Sequence, residues 1–260
     1  MAIKLGTLKK PTKDAPRRVV VYGVGGVGKT TLAHTAPSPF FIQTEEGDGN
    51  LKLNSFGICE SYDDVAQQVK WLLTEDHKYK TVVVDGLTRL EPLLWQRVID
   101  TRPVDDKGRE VTDIEGYGFG KGYTYATAEW RHLLRGFDKL RSERGMNVIL
   151  IAHDTVKKHE PPDSESFDRY EPRLHRKAAD AVKEWCDALL FVTYKTYTVK
   201  EDEGFGNQRT RAVGEGDRVI YTEQRPAFEA KNRDSLPPEL PLKTWKDLTE
   251  NIANINKEGK

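Results

Sequence analysis

The chain has 260 residues, 37% of them hydrophobic and 32% charged, enough apolar content for one core in a single α/β domain with insertions. Its 41 Lys and Arg balance 41 Asp and Glu, which excludes a basic field over the whole molecule, so any nucleic-acid partner must be held by local patches. No apolar run approaches the roughly 18 residues of a membrane span, and Cys59 and Cys186 lack the spacing of a zinc site or a disulfide framework, so a cytoplasmic protein without a membrane partner is expected.

Residues 1–16 form a tail, and Lys4, Lys9, Lys10, Lys13, Arg17 and Arg18 face only Asp14 across its length and the start of the strand beyond, either as a solvated tail or as a binding arm. Arg17–Tyr22 reads as a buried strand that stops at Gly23. A helix over Lys29–Ala36 is stopped by Pro37 and Pro39, and Phe40–Gln43 is a second strand. Ser61 is a candidate N-cap, with Asp63 and Asp64 in the first turn and an apolar stripe of Val65, Val69, Leu72 and Leu73 behind it. Thr81–Val84 is a third strand closed by Asp85, followed by a helix through Leu90, Leu94 and Val98. A Gly/Tyr-rich stretch, Gly116–Tyr123, leads into a long helix with Trp130, Leu133, Leu134, Phe137 and Leu140 on one face. Val148–Ala152 is a fourth strand, Asp154–Glu171 reads as a long polar loop, Leu174–Trp185 as a helix and Ala188–Thr193 as a fifth strand. Beyond it, Tyr194–Lys200 and Gln208–Val213 predict a hairpin around Glu203–Gly206, Arg218–Thr222 a further strand, and Trp245, Leu248, Ile252 and Ile255 a closing helix over 241–260. The expected fold is therefore α/β: a mostly parallel sheet with helices on both faces over 17–240, ending in a β-hairpin-rich extension and that helix.

Ligands of such sheets sit at the carboxyl ends of the strands, where the chemistry-bearing residues fall. Gly23-Val24-Gly25-Gly26-Val27-Gly28-Lys29-Thr30 satisfies the phosphate-loop pattern between a strand and a helix. Gly23, Gly25, Gly26, Val27 and Gly28 would turn backbone N–H groups onto phosphate, with Thr31 on the helix that follows. Lys29 would reach the β- and γ-phosphates of ATP, and Thr30 would give a hydroxyl to Mg²⁺. Asp85, at a strand end, suits a place in the metal shell. Glu45 and Glu46 follow the second strand, and either could align the attacking water.

The succession Gly23–Thr31, Phe41-Ile42-Gln43-Thr44-Glu45, Val82–Asp85 and Ile149–His153 resembles the RecA-like ATPase core. The phrases Ala36–Gly47 and Ala230–Arg233 are similar to those of small phage-encoded ATP-binding proteins of that group, which include the RecA-like single-strand annealing proteins; the resemblance spans about residues 17–240. It implies that Glu45 is the catalytic glutamate and His153 the polar sensor ending the fourth strand. It also implies that Lys231 and Arg233 reach a neighbouring subunit's nucleotide, in a ring or filament of identical chains. Side chains two apart on a strand point the same way, which would bring both cations to one phosphate.

The same resemblance implies single-stranded DNA as partner, in the host cytoplasm if the protein is phage-encoded, and allows a single-strand DNA-binding protein as another. The implied DNA contacts are Tyr117, Phe119, Lys121 and Tyr123 in the Gly/Tyr stretch, and Lys157, Lys158, Arg169, Arg173, Arg176 and Lys177 in the segment after the fourth strand. The implied function is ATP-dependent recombination by annealing, with DNA-stimulated hydrolysis. Two other readings stay open: an ATP-switched assembly or loading factor without turnover, and a small-molecule phosphotransferase.

Overall fold

The strands of this chain are apolar without interruption because both of their faces are covered, and the alternation of their side chains divides the interior in two. In the computed structural model, which describes residues 15–47, 49–202, 208–214 and 216–250, the first strand is β1 (Arg18–Gly23). Val20 and Tyr22 of β1 enter one core, and Val19 and Val21 the other. Elements then follow as α1 (Lys29–His34), β2 (Pro39–Gln43), α2 (Tyr62–Thr74), β3 (Thr81–Asp85), α3 (Leu87–Thr101) and α4 (Lys121–Arg144). After these come β4 (Asn147–His159), β5 (Phe167–Pro172), α5 (Arg176–Trp185) and β6 (Ala188–Tyr194). The chain continues with β7 (Tyr197–Asp202), β8 (Gln208–Val213), β9 (Arg218–Tyr221), β10 (Lys231–Asn232) and β11 (Glu239–Pro241).

The main sheet runs β11-β9-β6-β1-β4-β3-β2, parallel from β6 to β2 and antiparallel where β9, β10 and β11 join. This is the expected α/β architecture, with the β-rich extension laid along the β6 edge. One core lies under α2, α3, α4 and α5, and the other under α1 and the closing segment that carries Leu242, Trp245 and Leu248. The end strands are blunted. β11 has three residues and ends at Pro241, and the outer edge of β2 is met by residues 54–59, with Phe41 N–H donating to Asn54 O and Cys59 N–H to Gln43 O.

Ser61 caps α2 as expected: its hydroxyl accepts from Asp64 N–H, and the Asp64 carboxylate accepts from Ser61 N–H at 2.9 Å. Cys59 and Cys186 are free and buried, and burial pushes both thiols up to about 11. No described helix is long and apolar enough to cross a membrane.

The long loop expected over Asp154–Glu171 is instead a ribbon. β4 continues to His159 and pairs antiparallel with β5 from Asp154↔Pro172 to His159↔Phe167. The ribbon leaves the core after Ala152, so its strands carry no apolar alternation and periodicity could not reveal them. The N-terminal tail up to Asp14, the turn Glu203–Gly206, and Ile252 and Ile255 lie outside the described residues.

Candidate active site

The phosphate-loop sequence leaves β1 beside β6. A side chain at Gly23 would run into the Val192 carbonyl, and Gly26 and Gly28 hold φ of 73° and 105°, a region that favours glycine. Val27 is fully buried and anchors the turn in the α1-side core. Lys29 is buried as well. Its ammonium donates to the carbonyls of Gly23 (2.7 Å) and Val24 (2.8 Å), and desolvation pulls its pKa below the ordinary lysine value despite Asp154, Asp85 and Glu45 nearby. Thr30 donates its hydroxyl to Asp85 Oδ2 at 2.7 Å, while Thr31 is exposed one residue on.

Three parallel strands end level with this loop. Gln43 pairs with Asp85, Asp85 with Ile151, and Gly23 with His153, so Glu45, Asp85 and His153 arrive together at one end of the sheet. Thr44 fixes that arrangement: its N–H donates to Asp85 O (2.7 Å), its hydroxyl donates to Gly86 O (2.6 Å) and accepts from Gly86 N–H (2.9 Å). Glu45 Oε1 lies 3.3 Å from His153 Nε2, and that contact holds the Glu45 carboxyl below the ordinary range while burial opposes it. Burial acts the same way at Asp85 and prevails there, raising its pKa against the Thr30 hydrogen bond. His153 N–H donates to the Thr88 hydroxyl at 3.1 Å. Glu46 is exposed and lines the same cavity, but only Glu45 meets His153. The cavity, about 350 Å³, is bounded by Gly26, Lys29, Thr30, Glu45, Asp85 and His153 among others.

This donor set fits a magnesium nucleotide. A desolvated ammonium bonded only to carbonyls suits a polyanion, and a hydroxyl beside one buried carboxylate suits a hard cation that keeps water and phosphate oxygens as its other ligands. Among the described residues no group of three or more His, Cys, Asp or Glu is placed to hold a metal ion by itself.

Thr44, Gly86, Thr88 and Arg218 are positioning groups that sequence reasoning missed. Arg218 on β9 reaches the outside of the loop, with Nη1 3.4 Å from Val27 O and close enough to Gly28 that a Cβ there would meet it. Nothing in local sequence separates these residues from ordinary strand-end and turn positions; the strand pairing alone brings them in.

The residues assigned to DNA divide. Tyr117 is 7% exposed, its hydroxyl donates to the carbonyls of Val98 and Arg102, and its ring meets Tyr125 edge-on, so it offers no face to a base. Arg169 is 8% exposed, its guanidinium lying over Phe167 and donating to Pro226 O. Both expectations are corrected: these two side chains serve the fold. Phe119, between two glycines, is fully exposed. Lys121 pairs with Asp106, and Tyr123 stacks on His175 at 3.8 Å while donating to Glu115. Lys157 donates to Leu174 O near Glu171, Lys158 pairs with Glu160, Arg173 donates to Asp154 O, and Lys177 donates to the Thr124 hydroxyl. Arg176 is exposed.

Lys231 is engaged within its own chain. Its ammonium donates to the carbonyls of Lys183, Glu184 and Cys186, closing the C-terminal end of α5, whose last carbonyls need donors. β10 pairs with the first residues of β6, at the opposite end of the sheet from Val192 and Gly23. Arg233 is exposed, 4.0 Å from Asp187, and does not share the Lys231 target.

Residues 15–234 match the family model described as AAA domain. Among solved structures, the crystal structure of the RadB recombinase matches at 15% identity over 80% of each chain, with a TM-score of 0.44. No curated protein matches the chain.

Proposed function

The chain belongs to the AAA domain family, and from that premise we propose that it hydrolyses ATP with Mg²⁺, as an oligomer on single-stranded DNA, in recombination by strand annealing. One observation carries the ATPase reading: Lys29, Thr30, Asp85, Glu45 and His153 line a single cavity at the end of the parallel sheet. Lys29 would leave the Gly23 and Val24 carbonyls for the β- and γ-phosphate oxygens, and Thr30 and Asp85 would hold the metal ion. When bound, that ion supplies charge neutralisation at the phosphates. Glu45, kept ionised by His153, orients the attacking water and accepts its proton. His153, within reach of both Glu45 and the cavity, would register the γ-phosphate.

The DNA part of the proposal is supported by the resemblance of Ala36–Gly47 and Ala230–Arg233 to small phage-encoded ATP-binding proteins, by Phe119 exposed beside the first turn of α4, and by the exposed cations Lys158, Arg173 and Arg176 on and beside the ribbon. With a net charge of zero, few phosphate contacts per subunit are expected. Arg233 is the remaining candidate for a cation supplied to a neighbour.

The test is the ATPase rate with and without a single-stranded oligonucleotide, with light scattering on the same mixtures. Stimulated turnover with assembly supports the proposal. Assembly with negligible turnover would leave an ATP-operated switch, and phosphate transfer to a metabolite would replace the reading altogether.

A further inference from the structure

On the core face covered by α2 and α4, away from α1 and the phosphate loop, a trough of about 410 Å³ runs between those two helices. Its floor is apolar, made by Ala66, Val69, Leu73 and Leu133. Its rim carries Lys70, His132, Arg135 and Lys139, and no acidic residue lines it. These four side chains are exposed and make no ion pair with any described residue. Of the carboxylates nearby, Asp63 pairs with Arg97 at 3.3 Å and Asp138 with Arg18 and the Trp185 indole, while Glu129 stands near the Tyr62 end without lining the trough. Because the chain has no net charge, this rim is a local construction and not part of a general basic field.

A second observation concerns Tyr62, which closes one end of the trough. The residue is 5% exposed, and its hydroxyl has no hydrogen-bond partner among the described residues. Buried hydroxyls are normally paired, so this end of the trough keeps one polar group unsatisfied. From Tyr62 to Leu73 the α2 side of the trough spans twelve residues, or about 16 Å, three helical turns.

We propose that this trough is the docking site for an acidic amphipathic helix of a partner protein, with apolar residues seated between α2 and α4 and Asp or Glu along both flanks. A ridge of side chains fits a groove between two helices, and the basic rim selects the charge of what lies in it. Nucleic acid is the poorer match, since the floor offers phosphates nothing and presents no exposed aromatic ring for a base.

The experiment uses the full chain and a fluorescein-labelled 14-residue peptide with Leu or Phe at helical spacing and Glu elsewhere, followed by anisotropy. The controls are a scrambled peptide of the same composition, polyglutamate and a 14-nucleotide single strand. The expected result is saturable binding of the patterned peptide, at least about tenfold tighter than the scrambled one, and weakened at least about tenfold by Lys70→Glu with Arg135→Glu. Ala66→Tyr, which fills the trough at a half-buried position, should weaken it independently. Unchanged melting temperature certifies each variant, and having two unrelated variants protects against the misfolding of one. Equal binding of scrambled peptide or polyglutamate, indifference to both variants, or displacement of the peptide by the oligonucleotide with loss of oligonucleotide binding in the charge-reversed variant would overturn the proposal. None of these readouts depends on ATP turnover.

Discussion

Replacing Gly86 by alanine should separate catalysis from both nucleotide binding and folding. Gly86 has φ −135° and ψ 149°, extended values that alanine also adopts. What it meets is Glu45: a Cβ at position 86 would fall inside the closest approach of real atoms to Oε1, with Cδ at 3.2 Å and the Ile151 carbonyl at 3.5 Å. The carboxyl must retreat by roughly 1 Å to recover ordinary contact, and it is the free end of a flexible side chain, so the fold gives way cheaply. The retreat would take Glu45 off His153, now 3.3 Å away, and misplacing a water-orienting base by about 1 Å costs on the order of a hundredfold in rate. Steady-state phosphate release should therefore fall roughly a hundredfold in Gly86→Ala, with the affinity for a non-hydrolysable analogue and the melting temperature essentially kept. Glu45→Gln should be severe in the native background and nearly silent in Gly86→Ala, because the two changes act on one carboxyl. Native turnover in Gly86→Ala, or full additivity of the two substitutions, would refute the placement of Glu45.

Lys29→Ala removes a desolvated ammonium held only by two loop carbonyls, so hydrolysis should drop at least about a hundredfold while thermal melting without nucleotide stays level; near-normal turnover would overturn the phosphate-loop assignment. Phe119→Ala should weaken single-strand binding by about 1–3 kcal/mol in a filter or anisotropy assay, whereas Tyr117→Ala should destabilise the fold by about 3 kcal/mol in denaturant without a specific DNA defect. Glu91, buried in α3 with both oxygens accepting from His175 N–H, has its pKa pushed up from 4.5 to about 7 by burial. A carboxyl raised in the folded state stabilises below its unfolded pKa and loses that advantage as pH rises through the folded one. Relative to Glu91→Gln, the native protein should thus lose up to about 3 kcal/mol between pH 4.5 and 7; parallel melting curves across that window would contradict it. Mixing Arg233→Ala with Lys29→Ala should restore partial ATPase activity if Arg233 acts across a subunit boundary, and no mixing ratio would exceed the separate activities if it does not.

The sheet and its phosphate end were legible because the physics there is local. Val19–Tyr22 and Val82–Val84 are too uniformly apolar for anything but buried strands, and the glycines from Gly23 to Gly28 have a backbone reason to stand together. Asp85 and Glu45 were found because both follow such strands. The remainder depends on who stands beside whom. Tyr117 reads the same in sequence as Phe119 two residues later, yet one hydroxyl finds the carbonyls of Val98 and Arg102 at the end of α3 while the other ring is left exposed. The ribbon was invisible because strands outside a core need no alternation, and the contacts of Lys231 were hidden because its partners, the carbonyls at the end of α5, lie some 45 residues away in the chain. Thr44 and Gly86 could not be singled out at all, since their roles exist only once β2 and β3 are paired.

The blunted ends of the sheet restrict how copies of this chain can come together. An open strand edge is a template on which another chain can continue the ladder, the route of domain swapping and amyloid growth. Here one end is a three-residue strand that terminates in proline, unable to donate at its last position, and at the other the outward amide of Phe41 is already taken by Asn54. Neither edge is offered for extension across chains. In the proposed assembly, copies would then meet through surfaces other than the two ends of the main sheet, and contacts between side chains would form and release without breaking its backbone ladder.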